Sequence, residues 1–125
     1  MVQGQDLRGW VPCSIAPETF AARDGMIVTS GLPVGTLRTE KMYENFIIEL
    51  EWRHLTAGGN SGLFIWADGL PEVGGHFSRG IEIQMLDPGY DRPGKDSGYT
   101  THGDVFAVNG ASLTVAGRIS RSGKR

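Results

Sequence analysis

The sequence predicts an all-β domain of the sandwich or barrel kind, and three observations carry that prediction. Gly and Pro supply 19 and 6 residues, 25 of 125 or 20%, against a combined average of about 12%. Between them lie short runs, apolar or alternating, rich in β-branched and aromatic residues. Only residues 18–24 could hold a helical turn, and no heptad or longer repeat is visible. A chain of 125 residues and 13.5 kDa has room for one compact core, so residues 1–125 read as a single domain.

The first strand signal is the β-branched run Gly25 to Ser30, opened by Asp24-Gly25 and closed by the Gly31 to Gly35 breaker segment. Thr36 to Thr39 follows as a short strand, and the two are expected to pair as a hairpin. The strongest signal is Glu44 to His54. There Phe46, Ile48, Leu50 and Trp52 alternate with Ile47, Glu49, Glu51 and Arg53, predicting a long central strand with its even-numbered side chains in the core. A Gly58 to Gly62 turn leads into Leu63 to Trp66. Gly80 to Leu86 alternates again, with Ile81, Ile83 and Met85 expected inward and Glu82, Gln84 and Leu86 outward. A polar, turn-rich stretch then separates it from Val105 to Val108.

Charge excludes one class of partner. The formal net charge is −2, from 12 bases and 14 acids. Arg118, Arg121, Lys124 and Arg125 sit in an acid-free end, so the rest of the chain carries 12 − 4 = 8 bases against 14 acids, or −6. A nucleic acid needs a positive surface, which this body does not offer; residues 118–125 read as a solvated basic end. No run reaches the roughly 18 apolar residues of a spanning helix, and Met1 to Trp10 lacks a signal-peptide pattern. Cys13 has no cysteine to pair with and reads as a buried thiol.

Chemistry-bearing residues concentrate on two of the expected strands. Glu49, Glu51 and Arg53 repeat along one face at steps of about 6.6 Å, and Glu82 and Gln84 repeat the alternation on a second strand. Such a row is ordinary on a solvated sheet. Two carboxylates in unlike surroundings, however, are the apparatus of general acid–base catalysis, and an Arg beside them can orient a ligand or steady an oxyanion. Asn60 enters a strand from a turn, where its amide can hydrogen-bond a hydroxylated ligand. His102 stands among Thr100, Thr101 and Asp104, groups able to fix its tautomer. Trp66 and Tyr90 can stack on a sugar face. The histidine spacing makes no zinc motif, and the G-x-S-x-G pattern is absent, which disfavours a serine hydrolase.

Five segments together resemble a known family: Gly35 to Thr39, Tyr43 to Phe46, Glu49 to Arg53, Gly59 to Gly62, and Gly80 to Asp87. Their order is similar to that of the 3-keto-disaccharide hydrolase family. The resemblance implies a concanavalin A-like lectin/glucanase jelly roll with a sugar site on its concave face. It also implies cleavage of glycosides already oxidised at C3, by periplasmic or extracellular bacterial proteins. Family members continue through a Trp-Asn strand and an Asn-Gly hairpin near the C-terminus, so this chain reads as C-terminally truncated relative to them.

With that substrate class, Glu82 or Glu51 is the expected base and His102 the proton donor or alternate base. Arg53 and Gln84 would orient the sugar and steady the enolate, with Asn60 and Trp66 completing the binding surface. A divalent cation held by Glu51, Glu82 or His102 could take the place of Arg53, although no dedicated metal motif demands one. Two other readings stand beside this one: a non-catalytic carbohydrate-binding module on the same sandwich, and a packing module of a larger assembly.

Overall fold

The computed structural model describes residues 6–13, 16–87, 89–90, 102–115 and 118–119. Among them the chain is all-β with antiparallel ladders, a single 3-10 turn and no α-helix. No helix there is long and apolar enough to cross a membrane. The chain divides into two compact units, residues 1–44 with 68–78 and residues 45–67 with 79–125.

The first unit holds two two-stranded ladders. Strands β2 (Phe20–Arg23) and β3 (Met26–Thr29) form a hairpin in the register Arg23↔Met26. Its loop is Asp24-Gly25, both at positive φ (51° and 74°), the geometry of a type I′ turn, which matches the right-handed twist of the flanking strands. The expected helical turn over 18–24 is thus reduced to a 3-10 turn at Pro17–Thr19 that runs straight into β2. Asp-Gly chemistry wins over the weak helical pattern because it lets the preceding four residues pair immediately.

β4 (Thr36–Thr39) pairs with β1 (Trp10–Cys13) and not with β3 as expected. The side chains at the start of the intervening segment bond locally instead: Ser30 Oγ donates to Leu32 O at 2.8 Å and Gly31 N to Thr29 Oγ1 at 3.0 Å. Cys13 and Thr19 are buried in this unit. Thr19 Oγ1 donates to Leu32 O at 3.3 Å, so its hydroxyl is satisfied, and the Cys13 thiol faces Val11 O and Gly69 O.

The second unit is built on a three-stranded sheet in the order β5 (Asn60–Ile65), β6 (Gly80–Leu86), β7 (Val105–Val108). The register Phe64↔Glu82↔Phe106 and Gly62↔Gln84 runs across all three strands or continues just past them. Backbone bonds extend the pairing beyond β7: Gln84 N donates to Asp104 O and Gly103 N to Gln84 O, both at 2.9 Å. A turn at Asn109-Gly110, again at positive φ (50° and 81°), closes β7. The short ladder of β8 (Thr114–Val115) and β9 (Arg118–Ile119) follows, so the expected basic end begins as a strand; residues 120–125 lie outside the described residues.

β6 is central, flanked on both sides, and nearly all of it is buried. Its odd residues Ile81, Ile83 and Met85 occupy one face and Glu82, Gln84 and Leu86 the other, as the alternation predicts. The expected inside and outside are nevertheless not what burial shows. Glu82 keeps 3% of its surface exposed and Gln84 none, whereas Ile83 and Met85 are only partly covered. Ile81, Leu86 and Ala107 supply the buried apolar contacts. Ile81→Ala is expected to destabilise the chain by about 2–5 kcal/mol in a urea titration, the cost of a cavity at a central strand.

Glu44 to His54, the strongest strand signal in the sequence, forms no ladder with any described residue. Its side chains are largely exposed, Ile47 at 94%, and Ile48, Leu50, Glu49, Glu51 and Arg53 are open as well. Alternation reports which side chains could share a face, but a strand also needs a neighbour to take its N–H and C=O groups. None is present among the described residues. Trp52, expected in the core, is 38% exposed. Trp52→Ala is therefore expected to cost about 1–2 kcal/mol, below the ~3–5 kcal/mol of a buried aromatic truncation; a urea titration measures which.

Candidate active site

The site grows out of one missing side chain. On the polar face of the sheet, β5 contributes Asn60, Gly62 and Phe64, and β6 contributes Leu86, Gln84 and Glu82 opposite them. Phe64 and Phe106 occupy the cross-strand positions on both sides of Glu82. Between Asn60 and Phe64, each about 6.8 Å from it along the strand, Gly62 leaves a gap. The Glu82 side chain leans into that gap: a Cβ built on Gly62 would overlap Oε1, Cγ and Cδ of Glu82. Gly62 has no need of glycine for its backbone, since its φ lies outside the left-handed region. It is glycine because Glu82 uses the space.

Gln84 uses the same side of the sheet. Its fully buried amide Nε2 donates to Asn60 Oδ1 at 2.6 Å and to the main-chain oxygen of Ser61 at 3.0 Å. A buried amide without partners would be costly, and these bonds tie β6 to the start of β5. Glu82, Gln84 and Asn60, three of the residues singled out from sequence, are thus brought together on one face.

At the end of β6 nearest Asn60 lies an aromatic cluster. His54 Nε2 is 3.1 Å from Met85 O, and its ring stands over Gly59, where a Cβ would overlap it. Trp52 lies between two histidines, its ring centroid 4.9 Å from His54 at 64° and 4.9 Å from His102 at 59°. His102 is exposed and directly precedes Gly103, whose N–H is bonded to Gln84 O. The cluster was not visible in the sequence as a unit. By sequence His54 ends a strand, Trp52 is core, and His102 is a candidate proton donor in a loop.

Glu51 and Arg53 do not join the polar face of the sheet. Both are exposed on the segment that pairs with no described strand. Trp66 follows β5 at a positive φ of 47°, uncommon for a bulky residue; it is 65% exposed, and its ring centroid is 5.9 Å from that of Phe46. Tyr90 is partly covered, while Thr100 and Thr101 lie outside the described residues. Among the described residues no group of three or more His, Cys, Asp or Glu is placed to hold a metal ion.

No curated protein and no solved structure matches the chain. A family model does: the one described as the 3-keto-alpha-glucoside-1,2-lyase-like domain matches residues 1–119. The match covers almost the entire sequence. The chain therefore belongs to the 3-keto-alpha-glucoside-1,2-lyase-like domain family.

Proposed function

We propose that this chain cleaves glycosides whose sugar is oxidised to a ketone at C3, with Glu82 as the base. The observation that carries the reading is Glu82 itself: a carboxylate almost wholly withdrawn from water, flanked in register by two Phe positions and leaning into the gap at Gly62. A carboxylate is seldom found so deep in a sheet unless it is paired or functional. The reading takes the two sheets of the parent fold as a jelly-roll sandwich, with this polar face as the sugar-binding one.

The chemistry follows from the ketone. A carbonyl at C3 acidifies the C2 hydrogen, and the Glu82 carboxylate removes it as a proton. The electron pair of that bond becomes an enolate on the C3 oxygen. The enolate then collapses: C1=C2 forms, the C1–O bond breaks, and the leaving oxygen takes a proton from His102, whose exposed ring is held against Trp52. Water adds back across C1=C2, hydroxyl to C1 and proton to C2, so that the net reaction is hydrolysis. Arg53, exposed near this cluster in sequence, is left the task of meeting the outer part of the substrate.

The test is incubation of the chain with 3-keto-glucosides and with the matching unoxidised glucosides, followed by product analysis. Release of aglycone from the keto compounds alone is the expected result. Equal cleavage of both would contradict a mechanism that begins at C2. The exposed Trp66 and half-exposed Trp52 favour one other reading, a module that binds carbohydrate without cutting it. Saturable binding of an unoxidised sugar with no turnover of any keto-glycoside would favour that reading.

A further inference from the structure

The two bonds of the Gln84 amide decide which way a neighbouring side chain faces. Ser61 O is a main-chain carbonyl and has lone pairs only, so the Gln84 group directed at it at 3.0 Å has to be the NH2. The same NH2 reaches Asn60 at 2.6 Å, so the Asn60 atom that meets it has to be the oxygen. Both amide orientations are thereby fixed by one backbone group. What remains of the Asn60 amide is its own NH2, on an exposed residue, with no partner among the described residues.

We propose that Gln84 is a positioning residue that holds Asn60 as an outward N–H donor, and that this donor meets the proton-free C3 oxygen of the substrate. A ketone oxygen carries no hydrogen, so only a donor can bind it, and the bond strengthens as the oxygen gains charge in the enolate. A buried amide tied to the main chain keeps the donor in place before the charge appears. The inference rests on the functional reading above and adds to it the group that recognises the oxidised position. It also moves Gln84 away from the substrate: with no exposed surface, Gln84 acts through Asn60.

The test is Asn60→Asp. The variant keeps the shape and the inner oxygen that accepts from Gln84, but it turns the outer group from a donor into a charged acceptor. The expected result is a fall in kcat on a 3-keto-glucoside by ~10²–10³-fold, the loss of one oxyanion donor, with a much smaller change in KM and an unchanged melting temperature. Protonation would restore a donor, so the ratio of variant to wild-type kcat should rise as pH falls toward the ordinary Asp value of about 4. A variant within about threefold of wild type in kcat would overturn the proposal.

Side-chain amide exchange, read by NMR on the wild-type chain, supplies a measurement that needs no variant. Protected Gln84 NH2 protons beside freely exchanging Asn60 NH2 protons are expected; protection of the Asn60 NH2 would mean the opposite orientation and overturn the proposal. A wild-type chain that cleaves no keto-glycoside would overturn the functional reading and this inference with it. Wild-type turnover left untouched by Asn60→Asp would overturn the inference alone.

Discussion

Glu82→Gln is expected to lower kcat on 3-keto-glycosides by ~10²–10⁴-fold, the usual contribution of a general acid–base group, while leaving the fold and sugar binding nearly intact. Gln has the length and hydrogen-bonding reach of Glu but cannot take a proton, so only the step that needs a base should suffer. The substitution also stays within the gap at Gly62, into which the Glu82 side chain already leans, and a packing loss is not expected to contribute. Steady-state kinetics beside a thermal melt separates the two effects. Glu51→Gln is the informative companion, because Glu51 is the other carboxylate the sequence offers and is exposed. If Glu51→Gln lost the activity and Glu82→Gln kept it within about threefold, the base would have to be reassigned to the 45–54 segment.

Gly62→Ala is expected to damage both the fold and the activity. The added Cβ falls on Oε1, Cγ and Cδ of Glu82, and overpacking of this kind costs about 1–3 kcal/mol. Displacing the carboxylate should also lower kcat by up to ~10²-fold, since an error of about 1 Å in a reacting group is enough. The cause can be isolated with a double-mutant cycle. In a Glu82→Ala background the methyl meets no carboxylate, and the same Gly62→Ala change should cost less than about 0.5 kcal/mol. Equal cost in both backgrounds, measured by urea denaturation, would mean that Gly62 is required by the backbone and not by Glu82.

Residue by residue, the sequence speaks clearly about faces and poorly about neighbours. The alternation of β6 correctly divides Ile81, Ile83 and Met85 from Glu82 and Gln84, because side-chain direction along a strand is a local property. Burial is not local. Glu82 and Gln84 are expected outward and are the more enclosed set, since β6 lies between two strands and Phe64 and Phe106 flank Glu82 in register. The same limit explains residues 44–54, where a strong alternation has no partner among the described residues to turn it into a ladder. It explains the β2–β3 hairpin as well: Asp24-Gly25 was read as a strand opening, whereas it is the turn itself.

The site shows the same division. Glu82, Gln84, Asn60 and His102 were each visible as residue types suited to sugar chemistry. The bond from Gln84 to Asn60 depends on the β5–β6 register, which joins residues 24 positions apart and is not written in either segment. Gly62 looked like part of a turn. Its function as the space for a carboxylate emerges only when Glu82 is placed diagonally across from it. Periodicity places Trp52 in the core, and the two histidines against its ring come from the two separate segments of the unit.

The central claim is that Glu82 removes the C2 proton of a 3-keto sugar, and hydrogen exchange at that carbon tests it most directly. A 3-keto sugar with no leaving group at C1, incubated with the chain in D2O, can undergo proton removal and return but not cleavage. The account predicts that the wild-type chain exchanges C2–H for deuterium well above the uncatalysed background, by NMR or mass spectrometry, and that Glu82→Gln falls to that background. Cleavage of 3-keto-glycosides by a chain that leaves C2–H unexchanged, or undiminished exchange in Glu82→Gln, would contradict it.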